Sequence, residues 1–460
     1  MPLCMSLRIP TMNTVEVSVK NLSTPLSTPL NMRSNVRLLN LTAWAALAAC
    51  AGALLPSVAH AEDTPLSLSL SQNLRRDSNL LRSTTARSDT VSTTAVQGVF
   101  SKEYGRQAYR ASARFARVHY DEFSQLNNDA KDLTASVTSQ FASNWLASLN
   151  ASDTTSMNAP QDNPANNRLL RNIRHYRNAG GSLQYGNGGT WAIQGTFDSN
   201  KLNFSEDLFQ FQNSQQSSQG VRLIYNATDL LNFGFGPRWV RTKYPNNSTV
   251  GESKDQNLDF TVNWQVTGLS SLNALLSRRE SEQGASSGRR VHAVTGSLGW
   301  GYTPRGRMSY GVNLTRATNA DRFQESQAFT FFNNNLRSVQ NVALDTITTT
   351  LSMSASAALT GKISTGLSYG LTRYEQNSAR DRSVTTLVNT GQQVDFFNTN
   401  ATSSNSNSRL QSLTWSTNYA MYRWLGVNCS LQFYKQSADV SRPRYDGHSV
   451  DCGASLTLDP

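Results

Sequence analysis

Beyond residue 61 the chain holds four histidines, His119, His175, His292 and His448. None stands at metal-ligand spacing from another histidine, a cysteine or an acid. No glycine-rich phosphate loop follows a strand-like run, and serine is too abundant for one nucleophile to be singled out. Two carboxylates converging in space to cleave a glycoside stay open, since spacing along the chain does not report them. The chemistry-bearing residues that do recur in a pattern are arginines. In GRQAYRASARFARVHY, residues 105–120, Arg110 and Arg114 alternate with Tyr109, Ala111, Ala113 and Phe115. The same parity puts Arg222, Arg238 and Arg307 on polar faces. A guanidinium binds carboxylate or phosphate through a planar fork of donors, so the chemistry expected here is anion binding. The alternative is that these arginines pair with neighbouring acids and hold a wall in shape. No catalytic set, metal or cofactor is expected.

The elements that would carry these arginines are β-strands. In ITTTLSMSASAALTGKISTGLSYGLTRY, residues 347–374, Leu351, Met353, Ala355, Ala357 and Leu359 alternate with small or hydroxylated residues. Successive strand side chains point to opposite faces, so each strand has one apolar and one polar face. About 18 such segments, each of ~10–16 residues, follow one another from Leu66 to the end, near the length expected of tilted membrane-spanning strands. The connections alternate in length. Tight turns fall at Tyr104-Gly105-Arg106, Ser143-Asn144, 186–189, 227–229, Thr267-Gly268, 303–306, Thr360-Gly361 and Tyr422-Arg423. Longer polar segments lie between them, at 150–167, 244–254, 321–337 and 377–407. Tight turns at one end and long loops at the other mark an outer-membrane barrel.

Trp145, Tyr185, Trp191, Trp264, Tyr302, Tyr419, Tyr422 and Trp424 all lie within a few residues of the tight turns. They suit an aromatic girdle at the periplasmic lipid interface, against the plainer reading of aromatics simply favoured in strands. The sequence therefore predicts an all-β fold: a transmembrane antiparallel up-and-down barrel of about 18 strands, with 16 as the alternative. The apolar stripes would touch lipid and the serines a watery lumen.

Composition agrees. Charged residues make up 16% and the hydrophobic set 38%, and mean hydropathy is −0.45. A chain this polar yet sparsely charged fits a barrel with a polar interior, or a secreted β-rich protein. The N-terminus predicts export. Arg33 and Arg37 precede the apolar run Leu38 to Ala61, which ends in Ala59-His60-Ala61, a small-x-small cleavage pattern. Residues 32–61 read as a signal peptide. Residues 1–31 read as a leader extension or a mis-assigned start, because Met32 stands directly upstream. Leu47-Ala48-Ala49-Cys50 is a rival lipoprotein-type site, disfavoured by the apolar residues that follow it. Cleavage after Ala61 removes Arg8, Lys20, Arg33, Arg37 and Glu16, so the net charge falls from +11 to +8 for a barrel of 62–460. It also leaves two cysteines, Cys429 and Cys452. Paired across an antiparallel hairpin turning near Val440 and Ser441, they bring Val427 opposite Ala454, Leu431 opposite Val450 and Leu425 opposite Leu456. All of these share one face, so the register is self-consistent. A disulfide is expected there, and two packed thiols are the alternative.

Three stretches carry a resemblance: SLSQNLRRDSNLLR (69–82) with Ser88-Asp89-Thr90-Val91, GRQAYRASARFARVHYDEFSQLN (105–127), and a cysteine-bearing last strand, VDCGASLTL (450–458). Together they resemble the EpsL-like β-barrel outer-membrane proteins associated with exopolysaccharide biosynthesis. The similarity is strongest over 66–150 and at the C-terminus. It implies a barrel in the outer membrane of a Gram-negative bacterium that helps an exopolysaccharide leave the cell. Its expected partners are outer-membrane lipid, lipopolysaccharide, the exopolysaccharide and periplasmic export proteins, with no nucleic acid. The function expected is a passive polar channel with a basic lumen, not an enzyme. The alternatives are a diffusion porin unrelated to polysaccharide and a plugged structural or adhesive barrel.

Overall fold

The computed structural model describes residues 65–160, 169–247, 251–283, 290–304, 306–331, 334–380, 383–395, 400–438 and 443–458. The signal-peptide, start-site and lipoprotein readings, and the turn centre at Val440 and Ser441, lie outside the described residues. The strands are β1 Leu66–Asp77, β2 Asp89–Tyr104, β3 Gln107–Tyr120, β4 Asn128–Phe141, β5 Trp145–Met157 and β6 Ile173–Tyr185. They continue with β7 Trp191–Phe204, β8 Ser214–Thr228, β9 Leu231–Lys243, β10 Glu252–Thr267, β11 Ser270–Gln283 and β12 Arg290–Tyr302. The last are β13 Met308–Phe331, β14 Asn334–Ala358, β15 Ile363–Arg380, β16 Val384–Leu387, β17 Thr402–Ala420, β18 Leu425–Gln436 and β19 Tyr445–Leu458.

Each strand pairs antiparallel with its sequence neighbour, except that β15 pairs β17 and the four-residue β16 lies beside β14 alone. β1 then pairs both β2 and β19, from Leu68 opposite Leu458 to Asp77 opposite Ser449. Around the wall the sheet closes on itself as a barrel of 18 strands, with β16 as an addition outside the wall. Closure satisfies the ladder hydrogen bonds of the first and last strands with each other, as a bilayer requires.

The wall sorts its side chains by parity. Leu149, Leu183, Ile193, Leu223, Leu276, Leu298, Leu367 and Trp415 stand 44–57% exposed, on strands whose alternate positions are mostly Ser, Thr, Asn, Gln and Gly. So broad an apolar surface is far more than a soluble monomer presents to water. Facing lipid, it needs no other cover. The protein is an outer-membrane β-barrel.

All eight expected tight turns connect strands at one end, together with the start of β1 and the end of β19. That end is periplasmic. The aromatic residues expected to form a girdle lie near that end. Trp145 packs 4.9 Å from Tyr185, Trp191 4.6 Å from Tyr225, and Tyr422 5.3 Å from Trp424, centroid to centroid. Tyr302 lies between Trp300 and Tyr310, and Trp264 and Tyr419 are 42% and 38% exposed.

The expected long segments are corrected at all four places: 150–157 belong to β5 and 252–254 to β10, and the other two differ more. Residues 321–337 read as a loop, yet β13 and β14 stay paired up to Phe331 opposite Asn334. The longer segment 377–407 likewise contains the end of β15, all of β16 and the start of β17. Above the membrane both faces of a strand meet water. The apolar alternation vanishes there although the ladder continues, and the eye reads a loop.

Cys429 and Cys452 form a disulfide in the β18–β19 hairpin, Cα atoms 4.1 Å apart. The flanking partners are those expected: Val427 with Ala454, Leu431 with Val450, Leu425 with Leu456. The bridge sits on the lipid-facing side, and Cys452 lies opposite Leu74 on β1, so it braces the strand that closes the barrel. Eleven further residue pairs hold the same hairpin in register. Replacing both cysteines by serine is therefore expected to cost about 1–2 kcal/mol, in the lower half of the usual range for a bridge. Urea unfolding in lipid vesicles measures it, and dithiothreitol on the unaltered protein should reproduce the loss.

The lumen wall and its outer mouth

Parity turns Ser, Thr, Asn, Gln and Gly of every strand inward, and a few charged residues with them. Arg110 and Arg114 on β3 alternate with Phe115, which is 55% exposed to lipid. They face the lumen and make no ion pair among the described residues. Arg222 on β8 lies between the lipid-facing Val221 and Leu223. A Cβ on Gly234 of β9 would stand 2.7 Å from the Arg222 Cδ, so glycine leaves room for that side chain along the wall.

Arg238 is different. Its Nε donates to Asp259 at 2.7 Å and its Nη2 at 3.3 Å, and the Ser277 hydroxyl donates to the same carboxylate at 2.6 Å. Asp259 is 4% exposed. Here the wall-bracing alternative holds. Arg307 is corrected outright. It belongs to the turn before β13, which begins at Met308, and its guanidinium donates to the carbonyl of Leu359 in the next turn at 3.1 Å. It marks the periplasmic rim, because parity alone does not say where a strand starts.

Replacing Arg110 and Arg114 together by serine removes two unpaired inward cations and no structural partner. The expected result is an unchanged fold with anion-to-cation permeability lowered several-fold. The reversal potential in a salt gradient reads it directly.

On β5 to β9 a row of amides links neighbouring strands across the lumen face. Asn150 donates to Asn178 at 2.9 Å. Asn178 donates to Asn200, Asn200 to Gln216 at 3.1 Å, and Gln216 to Thr242 at 3.4 Å. Tyr176 adds its hydroxyl to Asn200 at 3.1 Å. The outer end of this row opens into a cavity of about 340 Å³ lined by Tyr176, Asn200, Gln216, Tyr244, Asp255 and Arg279, among others. Arg279 pairs with Asp255 at 2.8 Å and donates to the Thr318 carbonyl at 2.9 Å. Thr318 lies on β13 just past Arg316, the last residue β13 pairs with β12. The long β13–β14 hairpin thus comes within reach of an inward side chain two strands away as it leaves the wall.

The opposite side of the mouth is narrowed by two loops. Leu80 and Leu81 of the β1–β2 connection and Phe123 and Leu126 of the β3–β4 connection bury themselves on the inward Val91 and Tyr120. Asp89 accepts the backbone N–H groups of Glu122 and Phe123 at 2.9 and 3.1 Å. Asp77, fully buried, accepts Arg75 at 2.7 Å, Arg82 at 2.8 and 3.0 Å, the Tyr434 hydroxyl at 2.6 Å and the Asn79 N–H at 3.0 Å. The Arg82 guanidinium lies 3.6 Å over the Tyr434 ring, a cation stacked on one aromatic face. This cluster latches the β1–β2 loop to β18 across the closure seam.

Tyr120 and Tyr434 also point inward and are buried, whereas sequence reasoning singled out arginines for the lumen. It missed Tyr176, Asn178, Asn200 and Gln216. Their parity was readable, but their common level on the wall depends on register. Among the described residues no group of histidine, cysteine and acid is arranged to hold a metal ion.

No protein-family model matches the chain, and no curated protein matches it. Solved structures with a similar fold include OccAB3 of Acinetobacter baumannii, 9% identical, TM-score 0.42, covering 85% of this chain and 98% of that one. The FrpB iron transporter of Neisseria meningitidis, F5-1 variant, is 9% identical, TM-score 0.42, covering 86% and 83%. The siderophore receptor PirA of Pseudomonas aeruginosa is 12% identical, TM-score 0.37, covering 85% and 80%. The fold assignment rests on this barrel's own closed registers.

Proposed function

We propose that the barrel is a passive polar channel through which an exopolysaccharide crosses the outer membrane. The observation that carries this reading is the amide row on β5 to β9, with the cavity at its outer end. Asn and Gln side chains each offer two donors and two acceptor sites, so a row bonded along the wall still has capacity towards the lumen. The cavity's one ion pair, Arg279 with Asp255, leaves its lining without net charge. Such a surface suits a polyhydroxylated chain better than an ion or an apolar solute. The unpaired Arg110 and Arg114 add a preference for acidic sugars. The resemblance of residues 69–82, 105–127 and 450–458 to EpsL-like proteins points the same way.

Transport through such a wall draws its energy from polymer synthesis and from periplasmic partners. A strain lacking the protein is expected to display less surface polysaccharide and to retain polymer in the periplasm, with both defects reversed by the gene supplied in trans. Unchanged surface polysaccharide in the deletion strain would contradict the reading and favour a diffusion porin.

A further inference from the structure

The outward face changes character at a fixed height. Phe115, Trp239 and Phe433 are each the ninth residue of a strand rising from the periplasmic end, and all three are about half exposed. Nine tilted residues rise about 20–25 Å, the height of the apolar band of an outer-membrane barrel. Two residues further on, at the eleventh position, the same strands carry Arg117, Arg241 and Lys435. Arg76 on β1, Lys201 on β7 and Arg373 on β15 hold that position too. Six of the nine rising strands thus place an outward cation just above the outer aromatic level. Thr155, Glu280 and Thr318 hold it on the other three.

The cations are not arranged to balance one another. Lys201 lies directly opposite Arg177, Arg241 opposite Lys254, and Arg373 opposite Arg409. Like charges directly opposed across strands destabilise a sheet. Acids relieve part of this: Asp153 takes Arg177 at 3.1 Å, Glu252 takes Arg241 at 2.6 Å and, more loosely, Lys254 at 3.8 Å, and Glu375 takes Arg373 at 3.1 Å. Lys201 and Arg409 have no acid partner among the described residues. Three like-charge pairs at one height, outside the barrel, call for an external anion at that height.

We infer that this belt binds the phosphate groups of outer-leaflet lipid headgroups, the phosphorylated glycolipid of that leaflet being the occupant. Height and sign select it. A cation above an aromatic belt stands where headgroup phosphates stand, and two opposed cations about 5 Å apart suit one phosphate better than two separate monovalent ions. The inference concerns the outside of the wall and holds whatever the lumen carries.

The test removes one cation of each opposed pair, Lys201→Gln, Lys254→Gln and Arg409→Gln, in the full-length exported protein purified from outer membranes. Heat unfolding is followed in vesicles of phosphatidylcholine alone, with bisphosphorylated lipid A, and with the same lipid A stripped of its phosphates. In phosphatidylcholine the triple variant should unfold at a higher temperature than the wild type, because the repulsion is gone. Lipid A should raise the wild-type midpoint and raise that of the variant much less, so that the order narrows or reverses. Dephosphorylated lipid A should leave the order unchanged. Equal stabilisation of both proteins by lipid A, or equal stabilisation by its two forms, would overturn the inference. So would inorganic phosphate reproducing the lipid effect in vesicles of phosphatidylcholine alone.

Discussion

Arginine in place of Leu367 is expected to destabilise the barrel by about 2–4 kcal/mol, the cost of a cation near the middle of the lipid face of an outer-membrane barrel. Leu367 is the fifth residue of β15 and 50% exposed, opposite Ala355 and Trp415. The neighbouring Ser368 points the other way, opposite Ser354 and Thr414. Arginine there stays in water and should cost under about 1 kcal/mol, as surface substitutions usually do. Urea titration in vesicles compares the two. Similar penalties at 367 and 368 would mean that these faces are not lipid and lumen, and the assignment of every other strand would fall with them.

The second large effect concerns the latch at Asp77. Breaking a buried ion pair by removing one partner typically costs about 3–5 kcal/mol. Asp77→Ala leaves Arg82 and the Tyr434 hydroxyl without the carboxylate that both address. The barrel ladder does not depend on this side chain, so the loss should fall on the β1–β2 loop. That loop is expected to detach from the mouth, with trypsin cutting after Arg82 or Arg87 and single-channel conductance rising. Asp77→Asn keeps the shape and one acceptor, and should give an intermediate conductance. A variant that resists trypsin and conducts like the wild type would show that the loop is held by Leu80, Leu81 and their apolar neighbours alone.

These residues also show how far the sequence could be read. Alternation and turn chemistry were enough for the strand number and the eight tight turns, because a lipid face leaves period-two apolar residues at every crossing. The Cys429–Cys452 register was legible because both cysteines lie in one hairpin, where parity and a shared apolar face fix the pairing. The same logic failed above the membrane, at 321–337, where paired strands meet water on both faces. It placed Arg307 in the lumen because parity carries no information about height. It could not find the Asp77 latch, whose partner Tyr434 lies 357 residues away and comes near only when β1 meets β19. The amide row asked for four registers at once, each set by turns and bulges that no single residue reveals.

The central claim is that the lumen is an open passage with a basic, hydroxyl-rich wall. The protein purified from outer membranes, inserted in a planar bilayer under a salt gradient, tests it most directly. Stable channels with a reversal potential on the anion side, interrupted when the organism's own polysaccharide is added, are the predicted result. A heat-modifiable, correctly folded barrel that passes no current, or that prefers cations, would contradict it.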